Sequence, residues 1–299
     1  MVRNRLIIIC ILMLLLALAL NSVTALDLKA EALFGNTGFA WAGDEPIPDP
    51  EPFPETNWLY GARISISEAI GEGIRLETTY ETDPVLRHIL RSVIAYQAGV
   101  VKLSAGPIMG LFNTPETPLK AGISTGLRVD APGLAFVSIR ADSSLGAGLY
   151  SEGEYAQELG ELSAGWYVRN AICAFTILTK TMYTKTDATG TLGDSTNRYE
   201  FSVDTFRKGA PYRLFLAMGY EEFKRTYPGI TEPDSLGSIF LGGRLNTDLS
   251  PTITLVAGLE SAVYSFGLDE LSGRGPAPSA FLFKSSLGVR YRLEAPQDR

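Results

Sequence analysis

The chain has 299 residues, enough for one large β domain or two ordinary ones, and its 30 glycines and 13 tyrosines favour strands and turns over helices. Its net charge of −7 provides no basic face for a nucleic-acid partner, so none is expected. Of its two cysteines, Cys10 lies in a segment predicted to be removed, which leaves Cys173 alone and allows no intramolecular disulfide.

Residues 1–25 have the pattern of a secretory signal peptide. Two arginines open the segment, an apolar run covers 6–20, and Val-Thr-Ala at 23–25 supplies small residues for cleavage. The apolar run is shorter than the roughly 20 residues that a membrane-spanning helix needs. We therefore expect an exported protein whose mature chain begins at Leu26; the alternative is an uncleaved anchor.

The mature chain begins with a strand pattern and a long loop. Residues 26–34 alternate between apolar and polar side chains, as a strand with two different faces requires. Residues 43–56 carry a proline at every second position from 46 to 54. Because proline lacks the N–H that a sheet ladder uses, this segment is predicted to be a stiff, acidic loop.

The next two strand patterns are predicted to form a hairpin. Pairing Ile70 with Ile74 across the glycine-bearing turn 71–73 places Arg63 opposite Glu81. Apolar residues then face apolar ones throughout, apart from one glutamate. A slip of one residue would mix the two faces, so the agreement favours this register.

Similar patterns follow to the end of the chain, separated by further connections. Loops are expected at 83–87, 113–118, 151–154, 187–194, 226–236 and 269–279. The turn Ala131-Pro132-Gly133 is predicted to set Ser124 opposite Arg140, and a two-residue turn to pair Val168 with Ala171. The turn Gly209-Ala210-Pro211 brings Arg198 opposite Glu221.

The last strand pattern, 281–293, shows the two faces most clearly. Its odd positions are apolar except for one serine, and among its even positions 284–292 are charged, polar or glycine. In a soluble sheet the apolar face would meet a core, whereas in an outer-membrane barrel it would meet lipid. In the second case Leu287→Arg is expected to cost about 2–4 kcal/mol near the bilayer midplane, and Gly288→Arg to matter less.

The whole pattern predicts an all-β protein, a single closed antiparallel transmembrane β-barrel of about 14 strands, with 12 as the alternative. Short and long connections alternate along the chain, as they do in barrels with short periplasmic turns and longer outer loops. Aromatic residues lie near the ends of the apolar faces, and charges lie in mid-strand on the other face. A soluble sandwich or lipocalin-like barrel is the competing interpretation, and it gives no reason for the alternating connection lengths.

On these features the chain resembles bacterial outer-membrane β-barrels over the whole of 26–293, without resembling a specific family. The resemblance implies location in the outer membrane of a diderm bacterium, contact with outer-membrane lipid, and recognition of the C-terminal strand by the barrel-assembly machinery. The last strand ends in Leu293 rather than in an aromatic residue, and a short tail, 294–299, follows it. A monomer is expected.

The sequence offers little for catalysis. It has a single histidine, His88, at a predicted loop edge and without a serine at the next position on its face. There is no metal-ligand cluster, phosphate-binding loop or nucleophile elbow, so we expect no enzyme, no cofactor and no metal site.

The remaining candidate site is the lumen, whose predicted lining carries charges of both signs. The first hypothesis is a monomeric diffusion channel for small hydrophilic solutes. The alternatives are a transporter of hydrophobic molecules and a closed structural or adhesive barrel whose outer loops bind a partner. The predicted lumen-lining residues are Arg63, Arg75, Glu77, Glu81, Lys102, Lys120, Arg128, Asp130, Arg140, Asp142, Glu161, Arg198, Glu200, Glu221, Arg244, Glu260, Lys284, Arg290 and Arg292.

Overall fold

The structure is a computed structural model that describes residues 26–36, 58–111, 119–144, 155–186, 190–206, 210–226, 234–266 and 282–293. The predicted signal peptide, the proline-rich loop and the C-terminal tail lie outside these ranges. No helix in the described ranges is long and apolar enough to cross a bilayer.

The described residues form one closed antiparallel barrel in which each strand pairs with its neighbours in sequence. Fourteen strands close the sheet, as predicted, so the alternative count of twelve is wrong. The strands are β1 (Leu26–Asn36), β2 (Trp58–Gly71), β3 (Ile74–Asp83), β4 (Arg87–Ala98), β5 (Val101–Leu111), β6 (Leu119–Ala131), β7 (Ala135–Ser143), β8 (Tyr155–Val168), β9 (Ala171–Thr186), β10 (Gly190–Thr205), β11 (Tyr212–Thr226), β12 (Asp234–Asp248), β13 (Ile253–Phe266) and β14 (Phe283–Leu293).

The barrel closes where the first strand meets the last. Leu26 of β1 lies opposite Leu293 of β14, and the pairing continues without a break to Asn36 opposite Phe283. Closure leaves no strand edge with unpaired backbone groups. We call the end with Leu26 and Leu293 the near end, and the opposite end, with the β3–β4 turn, the far end.

The outer face of the barrel is apolar and open to its surroundings. Leu287 is 60% exposed and Ile139 is 51% exposed, each in the middle of its strand. Alternation with period two sends the charged residues of the same strands to the inner face. A soluble sandwich or barrel would pack its apolar side chains inward, so that interpretation does not describe this chain.

Aromatic side chains cluster on the outer face at the far end, around the closing seam. The ring of Phe34 stacks on Trp58 at 5.2 Å between centroids and lies 5.4 Å from Tyr60 and 5.7 Å from Phe283. Three strands, β1, β2 and β14, contribute to this cluster. Amphipathic rings at the end of an apolar band are typical of a membrane–water interface.

Several of the predicted registers are confirmed. Arg63 lies opposite Glu81, Val168 opposite Ala171 and Arg198 opposite Glu221. In each case the period-two pattern allowed only registers that keep the faces separate, and the turn length selected one of them.

Two predicted hairpin registers are wrong in detail. Ile70 does not pair with Ile74, because the ladder shifts between Ala69 and Gly71 and Gly71 takes that place. A bulge of this kind leaves one residue unpaired without exchanging the faces.

In the β6–β7 hairpin, Ser124 lies opposite Asp142 rather than Arg140. The turn there is Pro132-Gly133-Leu134, one residue later than predicted, and Gly133 has φ of 72°, a conformation that suits glycine. The predicted register is shifted by two residues, and a shift of two leaves every side chain on the face that was predicted for it.

Two segments predicted as loops belong partly to strands. The expected loop 187–194 is strand from Gly190 onward, and the expected loop 226–236 is strand from Asp234 onward. Turn-forming glycine and threonine suggested a loop over the first, yet the ladder with β9 and β11 extends through it. In that extension Asp194 lies opposite Arg225.

Candidate functional site

The barrel interior is identified by side chains that meet across several strands. Arg198 on β10 donates hydrogen bonds from Nη1 and Nη2 to Glu260 on β13, at 2.9 and 2.6 Å. Lys284 on β14 donates to Glu221 on β11 at 3.1 Å. The two residues of each pair lie on strands that are three apart in the sheet. In a closed barrel such side chains can meet only across the interior.

These four residues and Glu200 form the interior network. The Arg198 guanidinium also lies 2.6 Å from Glu200 Oε2 and 3.1 Å from Glu221 Oε2, and its Cζ lies 3.8 Å from the ring centre of Phe240. Two cations thus hold three carboxylates on one side of the lumen. Planar guanidinium groups suit such multiple pairing, because they present several donors in a fixed geometry.

A second set of predicted residues forms pairs between β2 and β3 and on β7 and β8. Arg63 forms an ion pair with Glu81. Arg140 lies 3.6 Å from Asp142 and 3.7 Å from Glu161, which are looser contacts.

A third set lies toward the near end. Arg128 binds Asp130 through both Nε and Nη2, at 2.7 and 2.8 Å, and Tyr167 donates to the same carboxylate at 2.6 Å. Lys102 pairs with Glu77 at 2.6 Å.

The closing seam carries an ion pair between β1 and β14. Arg290 binds Asp27, and Arg292 approaches the same carboxylate at 3.9 Å. Lys284, on the same strand as the two arginines, contributes to the interior network instead.

The remaining predicted residues are Arg75, Arg244 and Lys120. The first two occupy inner positions on β3 and β12 without a hydrogen bond or ion pair to another described residue. Lys120 lies in β6, and its side chain is outside the described part.

The β3–β4 turn, residues 84–86, folds into the barrel interior, which the sequence did not predict. Asp83 Oδ1 accepts hydrogen bonds from the backbone N–H groups of Val85 and Leu86, at 2.8 and 2.9 Å, and fixes the turn. The same carboxylate forms an ion pair with Lys180 of β9, on the other side of the barrel. Val85 and Leu86 are 3% and 1% exposed.

The turn packs on apolar side chains that face inward from distant strands. We call this group the far-end cluster. Its position across the lumen makes it a constriction. Its buried members are Val85, Leu86, Leu159, Met182, Phe223, Leu236 and Leu282.

Beside the constriction is a cavity of about 380 Å³. Its lining combines partly exposed apolar side chains, among them Leu33, Leu178 and Phe215, with ten charged side chains. Four lining cations hold all five lining carboxylates in the pairs described above. Arg244 is the fifth lining cation.

Sequence reasoning missed the residues that shape this region. The Asp83–Lys180 pair joins positions 97 residues apart, and Lys180 lies in the threonine-rich second half of β9, where the alternation of apolar and polar side chains is weak. The Asp194–Arg225 pair, with Nε to Oδ1 at 2.7 Å and both side chains buried, fell at the edges of two predicted loops. The sequence did contain one signal of an apolar surface in the lumen, namely single apolar residues, such as Leu33, on an otherwise polar strand face.

His88 lies on β4, next to the β3–β4 turn. Its Nδ1 is 3.0 Å from the hydroxyl of Tyr80, and the two rings stack at 6.1 Å. Among the described residues, no group of three or more His, Cys, Asp or Glu side chains is placed to hold a metal ion.

Comparison of the structure with solved structures shows the fold. A monoaromatic hydrocarbon channel, CymD, matches with a TM-score of 0.51 and 13% identity, over 91% of this chain and 90% of that one. The chain has the fold of outer-membrane β-barrels. The NanC porin also matches, with a TM-score of 0.46 and 11% identity over 89% of this chain and 100% of that one. OmpT of Vibrio cholerae, an outer-membrane protein, matches as a loop-deletion mutant with a TM-score of 0.46 and 9% identity, over 90% of this chain and 98% of that one.

No family model and no curated protein matches the sequence of this barrel. At these identities the neighbours inform about the fold and not about the solute, because folds of this kind carry many functions.

Proposed function

We propose that this barrel is an outer-membrane channel through which small water-soluble molecules diffuse. It acts as a monomer, without an enzymatic reaction or cofactor, after export by its signal peptide and insertion through recognition of β14. The observation that carries the proposal is the contrast between the two faces of the barrel. An apolar outer face fits lipid, and a charged inner face fits water and polar solutes.

The far-end cluster argues for a narrow and selective channel. A water-filled porin lumen needs no apolar side chains, whereas here the turn places Val85 and Leu86 across it. Hydrophobic constrictions limit the passage of ions and polar solutes because they dewet easily. We therefore infer a small conductance.

Planar bilayer recordings of the purified protein test the proposal. We expect discrete, stable current steps, together with the change in gel mobility on heating that a folded barrel shows. Silence from protein whose heat-modifiable mobility is intact would contradict the channel and favour a closed barrel whose loops bind a partner.

A second candidate, a transporter of hydrophobic molecules, is favoured by the apolar side chains that line the cavity. Leu33, Leu178 and Phe215 are partly exposed there, and apolar surface facing a lumen is costly unless something covers it. Uptake of a neutral hydrocarbon into proteoliposomes without any ionic conductance would support this candidate over the first.

A further inference from the structure

The lining of the 380 Å³ cavity includes one cation, Arg244, that takes no part in the ion pairs formed by the other charged lining residues that the structure describes. Arg244 makes no hydrogen bond or ion pair within the described part of the chain. The charge of Arg244 acts on the Glu31 carboxylate, but Lys29 holds that carboxylate at 2.6 Å and Arg244 forms no ion pair with it. Its guanidinium is therefore available to an anion from solution, and a carboxylate matches its paired donors.

The surroundings of Arg244 provide room for a ligand and an apolar surface for it to contact. Its Cζ lies 5.9 Å from the ring centre of Phe215, the residue opposite it on β11. On the other side it pairs with Gly258, which in turn pairs with Ser286. Small residues thus border one side of the guanidinium and an aromatic ring borders the other.

The size of the cavity limits the ligand. Pockets for small organic molecules measure about 300–1,000 Å³, so this cavity is at the lower end. It is lined partly by apolar side chains, which a fully hydrophilic solute would leave uncovered. A neutral hydrocarbon would leave the Arg244 charge without a partner.

We propose that the cavity is a binding site for a small amphipathic carboxylate, with the carboxylate on Arg244 and the apolar body against Phe215 and its neighbours. The proposal deepens the proposed function, because it names the class of solute for which the channel has a site. It also accounts for both surfaces of the lining at once.

Isothermal titration calorimetry on the purified full barrel tests the site without relying on conduction. The probes are benzoate, benzyl alcohol as a neutral molecule of similar size, and acetate as a carboxylate without an apolar body. We expect benzoate to bind about tenfold or more tightly than either of the others, since only benzoate satisfies both surfaces.

Arg244→Gln is expected to weaken benzoate binding about tenfold or more and to leave benzyl alcohol unaffected. The matched control is Arg75→Gln, which removes another inward cation that has no ion pair with a described carboxylate and lies outside the cavity lining. This control should bind benzoate like the wild type. All variants are first checked for heat-modifiable mobility.

A second variant fills the space instead of removing the charge. Gly242 lines the cavity, and a Cβ there would lie 3.6 Å from its nearest atoms outside the chain neighbours, those of Glu260, so Gly242→Leu can be accommodated at its first carbon and would fill space in the lining. We expect it to weaken benzoate binding as well.

Wild-type affinity of Arg244→Gln for benzoate, equal binding of acetate and benzoate, or no benzoate binding by the folded wild type would each overturn the site. Bilayer recordings of the same preparations separate this result from the proposed function. Ionic steps without benzoate binding overturn the site alone, and benzoate binding with silence overturns the channel alone.

Discussion

Single residues in this barrel are constrained by the face they occupy and by the neighbouring strand. Gly288 occupies an inner position, where an arginine is expected to matter less than at Leu287. A Cβ there would lie 2.1 Å from the backbone oxygen of Ala30 and 2.7 Å from the Cα of Glu31. Gly288→Arg would therefore probe the close approach of β1 as well as the polarity of the face, so it does not isolate the difference between the two faces.

Leu287→Arg and Ser67→Arg form a better matched pair for testing the two faces. Leu287 is 60% exposed on the outer face, so an arginine there is expected to cost about 2–4 kcal/mol near the bilayer midplane. Ser67 faces inward between Asp27 and Glu77, which would receive the new cation. Unfolding by denaturant from lipid bilayers measures both free energies. Equal stability of the two variants would argue that the outer face does not contact lipid.

At the scale of strands and turns, the alternation of side chains allowed most of the barrel to be predicted. The strand number and the β8–β9 and β10–β11 registers followed from period two and from turn length. The β6–β7 register missed by two residues, because a shift of two leaves both faces intact and the pattern cannot distinguish it. The alternation with period two also identified lumen charges such as Arg198 and Glu221.

The inward β3–β4 turn could not be predicted from the same pattern. Pro84-Val85-Leu86 is too short to show a period, and apolar residues in a short connection do not indicate where it folds. Its buried partners come from β8, β9, β11 and β12 and from Leu282, just before β14, so the contact depends on the closed barrel and not on local sequence. Arg244 was predicted to face the lumen, but whether it has a carboxylate partner depends on how the other charges pair, and no carboxylate of the described strands forms an ion pair with it.

The turn offers a prediction at this scale. Replacing Val85 and Leu86 together by glycine removes two buried side chains from the far-end cluster, and single-channel conductance should rise about twofold or more. Leu134→Gly is the control, since Leu134 is 69% exposed in the β6–β7 turn at the near end. A conductance unchanged in the double variant would mean that the narrowest point lies elsewhere in the lumen.

At the scale of the whole molecule, closure of the barrel explains why distant segments share one site. Arg198, Glu221, Glu260 and Lys284 come from four strands spread over 87 positions of the chain, from 198 to 284, and meet only because the sheet curves round on itself. The same closure pairs β1 with β14 and leaves no edge for association with a second copy.

The seam can be locked to test closure directly. Ala30 and Val289 lie opposite each other on the outer face of β1 and β14, at a distance typical of paired strands, about 4.5–5.5 Å between Cα atoms. In a Cys173→Ser background, Ala30→Cys with Val289→Cys should oxidise to a disulfide. The crosslinked chain becomes a covalent ring and should change its mobility after full denaturation, an effect that reducing agent reverses.

The control for this experiment keeps the cysteine at 30 and moves the second to Leu255. Leu255 pairs with Val289 from β13, so it lies two strands from Ala30, roughly 9–10 Å away, beyond the reach of a disulfide. Crosslinking of the 30–289 pair but not of the 30–255 pair is the expected result. Equal crosslinking of both pairs, or of neither, would contradict the β1–β14 register on which the closed barrel rests.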